Sequence, residues 1–183
     1  MPASVQHFDT IDYLKTGSPI QQQAWQVLTE YRILEQLASF SPILTGTIPI
    51  DIAVPGSDLD MVCCYNNINV FMDTLVAVFS MQEQFLIKQT IVKGIETVIC
   101  NFFIRDFEVE VFGQSRPVKD QEAYRHMIVE YLLLQKHGEA FRRQVIDLKL
   151  QGIKTEPAFA QLLNLPGDPY VAMLNLYDEM IRT

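Results

Sequence analysis

The chain has few cysteines, no cluster of basic residues and no long apolar run, and each shortage removes a class of function. Cys63, Cys64 and Cys100 form an odd set without CxxC spacing, which argues against a disulfide framework and against a zinc ribbon. All three lie in apolar stretches and read as small buried hydrophobes, with Cys63 and Cys64 facing opposite sides of one strand. Basic residues number 14 against 22 acidic ones, a net charge of −8, and only Arg142-Arg143 are adjacent. That balance disfavours a nonspecific grip on nucleic acid, where positive charge supplies most of the affinity, but permits a nucleotide held through metal ions. No stretch approaches the ~18 uncharged apolar residues of a membrane span, and "MPASVQHFDTIDYLK" lacks the basic-then-apolar profile of a signal peptide. A cytoplasmic protein with no membrane contact is the expectation. GxxxxGK, HExxH, GxSxG and a strand-linked GxGxxG are all missing, so P-loop, zincin, serine-hydrolase and dinucleotide-fold readings have no footing.

What is present suits one globular domain over residues 1–183, since 49% of the residues are apolar and 20% charged and no repeat or Pro/Gly-rich linker divides them. Residues 1–118 read as a sheet-containing front and 119–183 as a helical rear. A Ser-Pro start and apolar residues near helical spacing predict an amphipathic helix from Ser18 to about Ser39, with Trp25, Tyr31 and Leu34 in the core. "ILTGT" and "DLDMVCCY" read as strands and "NNINVFMDTLVAVFSMQ" as an Asn-capped helix. Then "FLIKQTIV", "TVICNFFIR" and "FEVEVFG" form a meander with turns at Lys93-Gly94 and Arg105-Asp106. Short helices follow, two of them ending at Gly138 and Gly152. The fold class is therefore α/β (α+β): a mixed sheet of about four to five strands flanked by helices, with a helical C-terminal part.

The stretch "LTGTIPIDIAVPGSDLDMVCCY" carries the chemistry. In a strand, Asp58 and Asp60 share one face about 6–7 Å apart, close enough to repel in a partly dry site. A divalent cation relieves that repulsion, and magnesium suits it because it takes one or two carboxylates and fills its shell with water and phosphate oxygens. Aspartates on a solvated face or in a turn would look the same. Gly46-Thr47, at a strand end, lets backbone N–H groups approach a phosphate while the hydroxyl adds a donor. Further on, Glu108 and Glu110 share one face of "FEVEVFGQ", although edge-strand charge would produce that pattern too.

Order and spacing join these pieces. Gly46-Thr47, ten residues, Asp58-Leu59-Asp60-Met61 and a later acid resemble the nucleotidyltransferase superfamily signature, with Thr in place of the usual Ser. "GTIPIDIAVPGSDLDMVC", "FEVEVFGQSRPV", "EAYRHMIVEY" and "GIKTEPAFAQLLNLPGDPY" are similar to the bacterial domain-of-unknown-function family 4269, which is grouped with nucleotidyltransferase-like folds. The resemblance implies a nucleotidyltransferase-like fold, magnesium or manganese as cofactor, and an NTP and an acceptor as partners. It implies Asp58 and Asp60 as metal ligands, Gly46 and Thr47 as the phosphate turn, and Glu110 as a third metal ligand or the base, with Glu108 the substitute if the register differs.

Other residues carry weaker signals. Ser57 serves a Pro-Gly-Ser turn or donates to a phosphate. Arg116, Lys119 and Arg125 form a solvated face or neutralise phosphate charge, and the solvated face is preferred. His126, on an amphipathic helix, reads as structural. Gln114 contacts a base or sugar only on the strength of the resemblance. Apolar residues of the rear helices suit a core and a homo-oligomer contact alike. The expected function is magnesium-dependent transfer of a nucleotidyl group from an NTP to a small-molecule or protein hydroxyl; the alternative is a nucleotide- or metabolite-binding regulator on the same fold, without turnover.

Overall fold

The computed structural model describes residues 3–182. Two short 3-10 helices, Ala3–Asp9 and Asp12–Thr16, lead into helix α1 (Pro19–Glu30), where the backbone N–H of Ser18 donates to the Gln21 side chain at 3.0 Å. The helix expected to reach residue 39 stops at Glu30. Arg32 takes a left-handed backbone (φ 50°), and the chain resumes as the one-turn α2 (Ile33–Gln36) and a 3-10 turn, Ala38–Phe40. Periodicity hides this break because Val27, Leu28, Ile33 and Leu37, from both sides of it, are buried in the same core.

Five strands then form one mixed sheet, as expected: β1 (Ile43–Thr45), β2 (Leu59–Cys64), β3 (Glu83–Val92), β4 (Ile95–Ile104) and β5 (Phe107–Gln114). Their order is β1-β2-β5-β4-β3, with β2–β5 parallel and the other neighbours antiparallel. Helix α3 (Ile68–Phe79) links β2 to β3, and the Asn67 side chain accepts from the N–H groups of Asn69 and Val70 at its start. The β3–β4 and β4–β5 turns fall at the two places read from the sequence, with Lys93, Gly94 and Arg105 all at positive φ.

Alternation along the strands makes two unlike faces. Leu59, Met61, Cys63, Val98, Cys100, Phe102, Val109 and Val111 all point into a core shared with α1, α2 and α3. On the opposite face, Ile43 of β1 and Val62 of β2 join a second core built with the rear helices α4 (Glu122–Leu150), α5 (Thr155–Leu163) and α6 (Pro169–Arg182). Cys63 belongs to the first core and Cys64 packs against the second. Gly138 interrupts α4 with φ 75° and ψ −167°, so its two halves diverge at the residue that marked a helix end in the sequence. Among the described residues no helix is long and apolar enough to cross a membrane.

Candidate active site

The second face of the sheet gathers the polar residues. Register pairs Thr45 with Asp60, Asp60 with Glu110, and Glu110 with Asn101, so one row crosses β1, β2, β5 and β4. Asp60 and Glu110, far apart in sequence, thereby become direct neighbours on parallel strands. Asp58 precedes the first residue of β2 and sits in the loop that enters it, rather than inside the strand. Glu108 faces the same way as Glu110 but pairs with Phe103. The Asn101 amide donates to both glutamates, at 3.2 Å to Glu108 and 3.4 Å to Glu110.

Gly46 follows β1 with φ +80°, and a Cβ added there would collide with the Asp60 carboxylate. Only glycine combines that backbone with that approach. The loop from Thr47 to Ser57 is pinned from three sides. Gln21 donates to the carbonyls of Ile48 and Pro49, Arg142 to those of Ile50 and Asp51, and Lys149 to that of Ile52 at 2.9 Å. The only adjacent basic pair in the chain thus contributes an arginine that satisfies backbone oxygens. Ser57 holds its own turn: its hydroxyl accepts from the Val54 N–H at 2.9 Å, and the Thr47 hydroxyl donates to it at 3.4 Å.

This loop, Asp58, Asp60 and the rear helices enclose a cleft of about 350 Å³ that Gly46, Thr47 and Ser57 also line. From the helices come Glu130, Lys149 and Glu156, which the motif reading did not include. Burial, then the charges of Asp58, Glu110 and Glu156, push the Asp60 carboxyl up to about 8, against a smaller opposing pull from Lys149. Burial pushes the Lys149 ammonium down to about 8, while Glu130, Asp58, Glu156 and Asp60 draw it the other way. Glu130 is fully enclosed, and burial with the nearby Glu156 raises its carboxyl well above the ordinary range. Burial raises Glu156 as well, but its hydrogen bond with His126 and the positive groups around it outweigh this and hold it low.

Glu130 had a local signal: it interrupts "MIVEYLLL", and residues 126, 127, 133 and 134 at helical spacing from it are all buried. Lys149 had none, because only the turn of the second half of α4 brings it back to the sheet. His126 lines the cleft with both ring nitrogens engaged, Nδ1 by Glu156 at 3.3 Å and Nε2 by the Tyr170 carbonyl at 3.0 Å, in keeping with a structural residue. Lys119 pairs with Asp9 at 2.6 Å, and Arg125 pairs with Asp178 and lies over Tyr177, so neither faces the cleft. Gln114 is buried at the end of β5 and donates to Thr97 at 2.9 Å.

The family profile described as "Domain of unknown function (DUF4269)" matches residues 26–176. The chain belongs to the DUF4269 family. Among curated proteins no sequence matches this DUF4269 chain. Its fold is nucleotidyltransferase-like. The Cid1 poly(U) polymerase, in a mutant form bound to MgATP, superposes with a TM-score of 0.52 at 12% identity, over 70% of the DUF4269 chain and 41% of the polymerase. The GLD-2/RNP-8 complex gives 0.49 at 14% identity, over 81% and 59%, and the polymerase core of TRAMP gives 0.49 at 13%, over 89% and 50%. The DUF4269 chain thus spans about half the length of these proteins.

Proposed function

We propose that the cleft binds a nucleoside triphosphate with a divalent cation and transfers its nucleotidyl group to a hydroxyl of a small molecule or protein. The observation that carries this reading is the pairing of Asp60 with Glu110 across parallel strands, with Asp58 two residues before and Gly46 backed against the Asp60 carboxylate. Glu110 takes the role of third acid in preference to Glu108, because Glu110 is the glutamate beside Asp60.

The donor set suits magnesium, or manganese in its place. Among the described residues no three His, Cys, Asp or Glu side chains are gathered closely enough to hold a metal on their own. Magnesium takes one or two carboxylates and completes its shell with water and substrate phosphates, so its site does not require three such side chains. Asp58 and Asp60 would hold it, with Glu110 at its edge, and when bound it neutralises phosphate charge and relieves the crowding of the three acids.

The chain's own groups do the rest. Backbone N–H groups at Gly46 and the Thr47 hydroxyl bind the triphosphate, Ser57 supports that turn, and Lys149 brings positive charge to the same wall. Glu110 accepts the proton of the acceptor hydroxyl as its oxygen bonds to the α-phosphorus. The bridging P–O bond to the β-phosphate breaks, and pyrophosphate leaves with that electron pair. Holding the reactants in line supplies most of the acceleration.

Calorimetry with each NTP, with and without magnesium, tests the reading on the native protein and on Asp58→Asn combined with Asp60→Asn. Magnesium-dependent binding that the double variant loses, with pyrophosphate released once cell extract is added, is the expected result. Binding without release would make the protein a nucleotide-binding regulator, and no binding would end the proposal.

A further inference from the structure

A second, smaller cavity of about 210 Å³ opens on the other side of Asp60. It shares Thr45, Asp60 and Ala123 with the first cleft, but Glu110 lines this cavity alone, whereas Gly46, Thr47, Ser57 and Asp58 line only the other. Asp60 therefore stands between two compartments, one with the phosphate-type turn and one with the glutamate.

The walls of the smaller cavity follow from strand register. Residues 110, 112 and 114 succeed one another along this face of β5, and Arg116 comes just beyond the strand end. The carboxylates of Asp60 and Glu110 thus mark one end and Arg116 the other. Between them the surface is mostly apolar, made by Phe112, Val92 and Ile95, with the Gln114 side chain, whose amide donates to Thr97, nearer the arginine. Arg116 is half-buried, and its guanidinium makes no ion pair or hydrogen bond with any described residue. The other cation on this wall, Lys93, is held by Glu122 at 2.7 Å. A partly buried arginine facing an apolar wall calls for an anion, since leaving such a charge unpaired is unfavourable.

We infer that this cavity is the acceptor pocket, and that the acceptor is a small amphipathic acid: a hydroxyl at the Asp60–Glu110 end, a hydrocarbon body along Phe112, and a carboxylate or comparable anion on Arg116. The inference rests on the reading of the neighbouring cleft as a nucleotidyl-transfer site for its chemistry, but not for binding. The cavity is smaller than the ~300–1,000 Å³ of pockets that hold drug-sized ligands, which favours a small acceptor over a length of polynucleotide. In the reaction the acceptor's hydroxyl oxygen gains the nucleotidyl phosphorus, its proton goes to Glu110, and pyrophosphate is released from the NTP.

ω-Hydroxyoctanoate, octanoate and octanol serve as probes, titrated into the full chain without nucleotide and followed by backbone amide chemical shifts. Both acids are expected to shift residues around Val92, Ile95 and Phe112, and octanol to bind about tenfold more weakly for want of the charge-assisted contact. Arg116→Gln should remove the difference between octanoate and octanol, with the thermal unfolding midpoint reporting that the variant is folded. Ile95→Trp, which fills the cavity without touching a charge, should abolish binding of all three.

Equal binding of acid and alcohol to the native protein, or shifts outside this cavity, would overturn the inference. So would displacement of ω-hydroxyoctanoate by single-stranded oligouridylate, which would make the acceptor a polynucleotide. The two readings fail separately. Acid binding without NTP binding sinks only the transfer reaction, whereas NTP binding with no acid binding sinks only the acceptor pocket.

Discussion

The two faces of the central strands differ in nearly every respect, although they alternate residue by residue. Leu59, Val109, Val111, Cys100 and Phe102 are wholly buried among hydrocarbon. One position along, Asp60, Glu110 and Asn101 bring two like charges and an amide side by side, with Asp60 and Glu110 lining an open cavity. The first face gains stability from packing, and the second gives some of it up by holding acids together. A rigid apolar face is what keeps the strained polar one in place, because a strand cannot shift its odd residues without shifting its even ones.

The largest expected effect tests the packed face. Phe102→Ala should lower the free energy of unfolding by about 3–5 kcal/mol in denaturant titrations, whereas Asn101→Ala beside it should change it by about 1 kcal/mol or less. Equal losses would break the contrast between faces.

Next comes its functional counterpart. Glu110→Gln should reduce magnesium-dependent pyrophosphate release by about 10²–10³ while leaving the unfolding midpoint unchanged or raised, since one crowded charge is gone. Val109→Ala should do the reverse, losing about 2 kcal/mol of stability with release retained. A Glu110→Gln protein that unfolds readily would show that the polar face is structural.

Gly46→Ala sits where the faces meet. A left-handed backbone and a collision with Asp60 should lower stability by about 1–3 kcal/mol and remove NTP binding, read by thermal melts and calorimetry. Retained NTP binding would mean that the turn does not hold phosphate.

The smallest effect is a slope. Glu130, surrounded by Lys149, Glu156 and His126, holds its proton in the folded chain far above the pH at which the unfolded chain releases it. The folded state therefore binds the extra proton, so this contribution to stability is whole below about pH 4 and is lost as pH rises above it. Unfolding midpoints of Glu130→Gln between about pH 5 and 8 should fall less steeply than those of the native protein. An unaltered slope would place the titration elsewhere.

Much of the fold was legible because local rules govern it. Strand alternation, the two positive-φ turns, the Asn67 cap and the glycines at 138 and 152 all act within a few residues. The break at Arg32 escaped because one left-handed residue leaves the apolar period intact. Of the candidate site, Gly46 and Asp60 stood out as parts of a motif, and the spacer between them folds back so that the two touch. Glu130 could have been found as an acid within an apolar helix, but Lys149 could not, and Arg116 was one of three basic residues that only their partners distinguish.

By itself the sequence determined which residues share a face, since backbone geometry sets a period of two in strands and near four in helices regardless of what surrounds them. It was tertiary structure that decided which faces meet. Parallel pairing of β2 with β5 set Glu110, rather than Glu108, beside Asp60, and the return of α4 past Gly138 carried Lys149 to the loop before Asp58. Those choices depend on the total apolar surface buried by the whole chain, a quantity that no local window of residues contains.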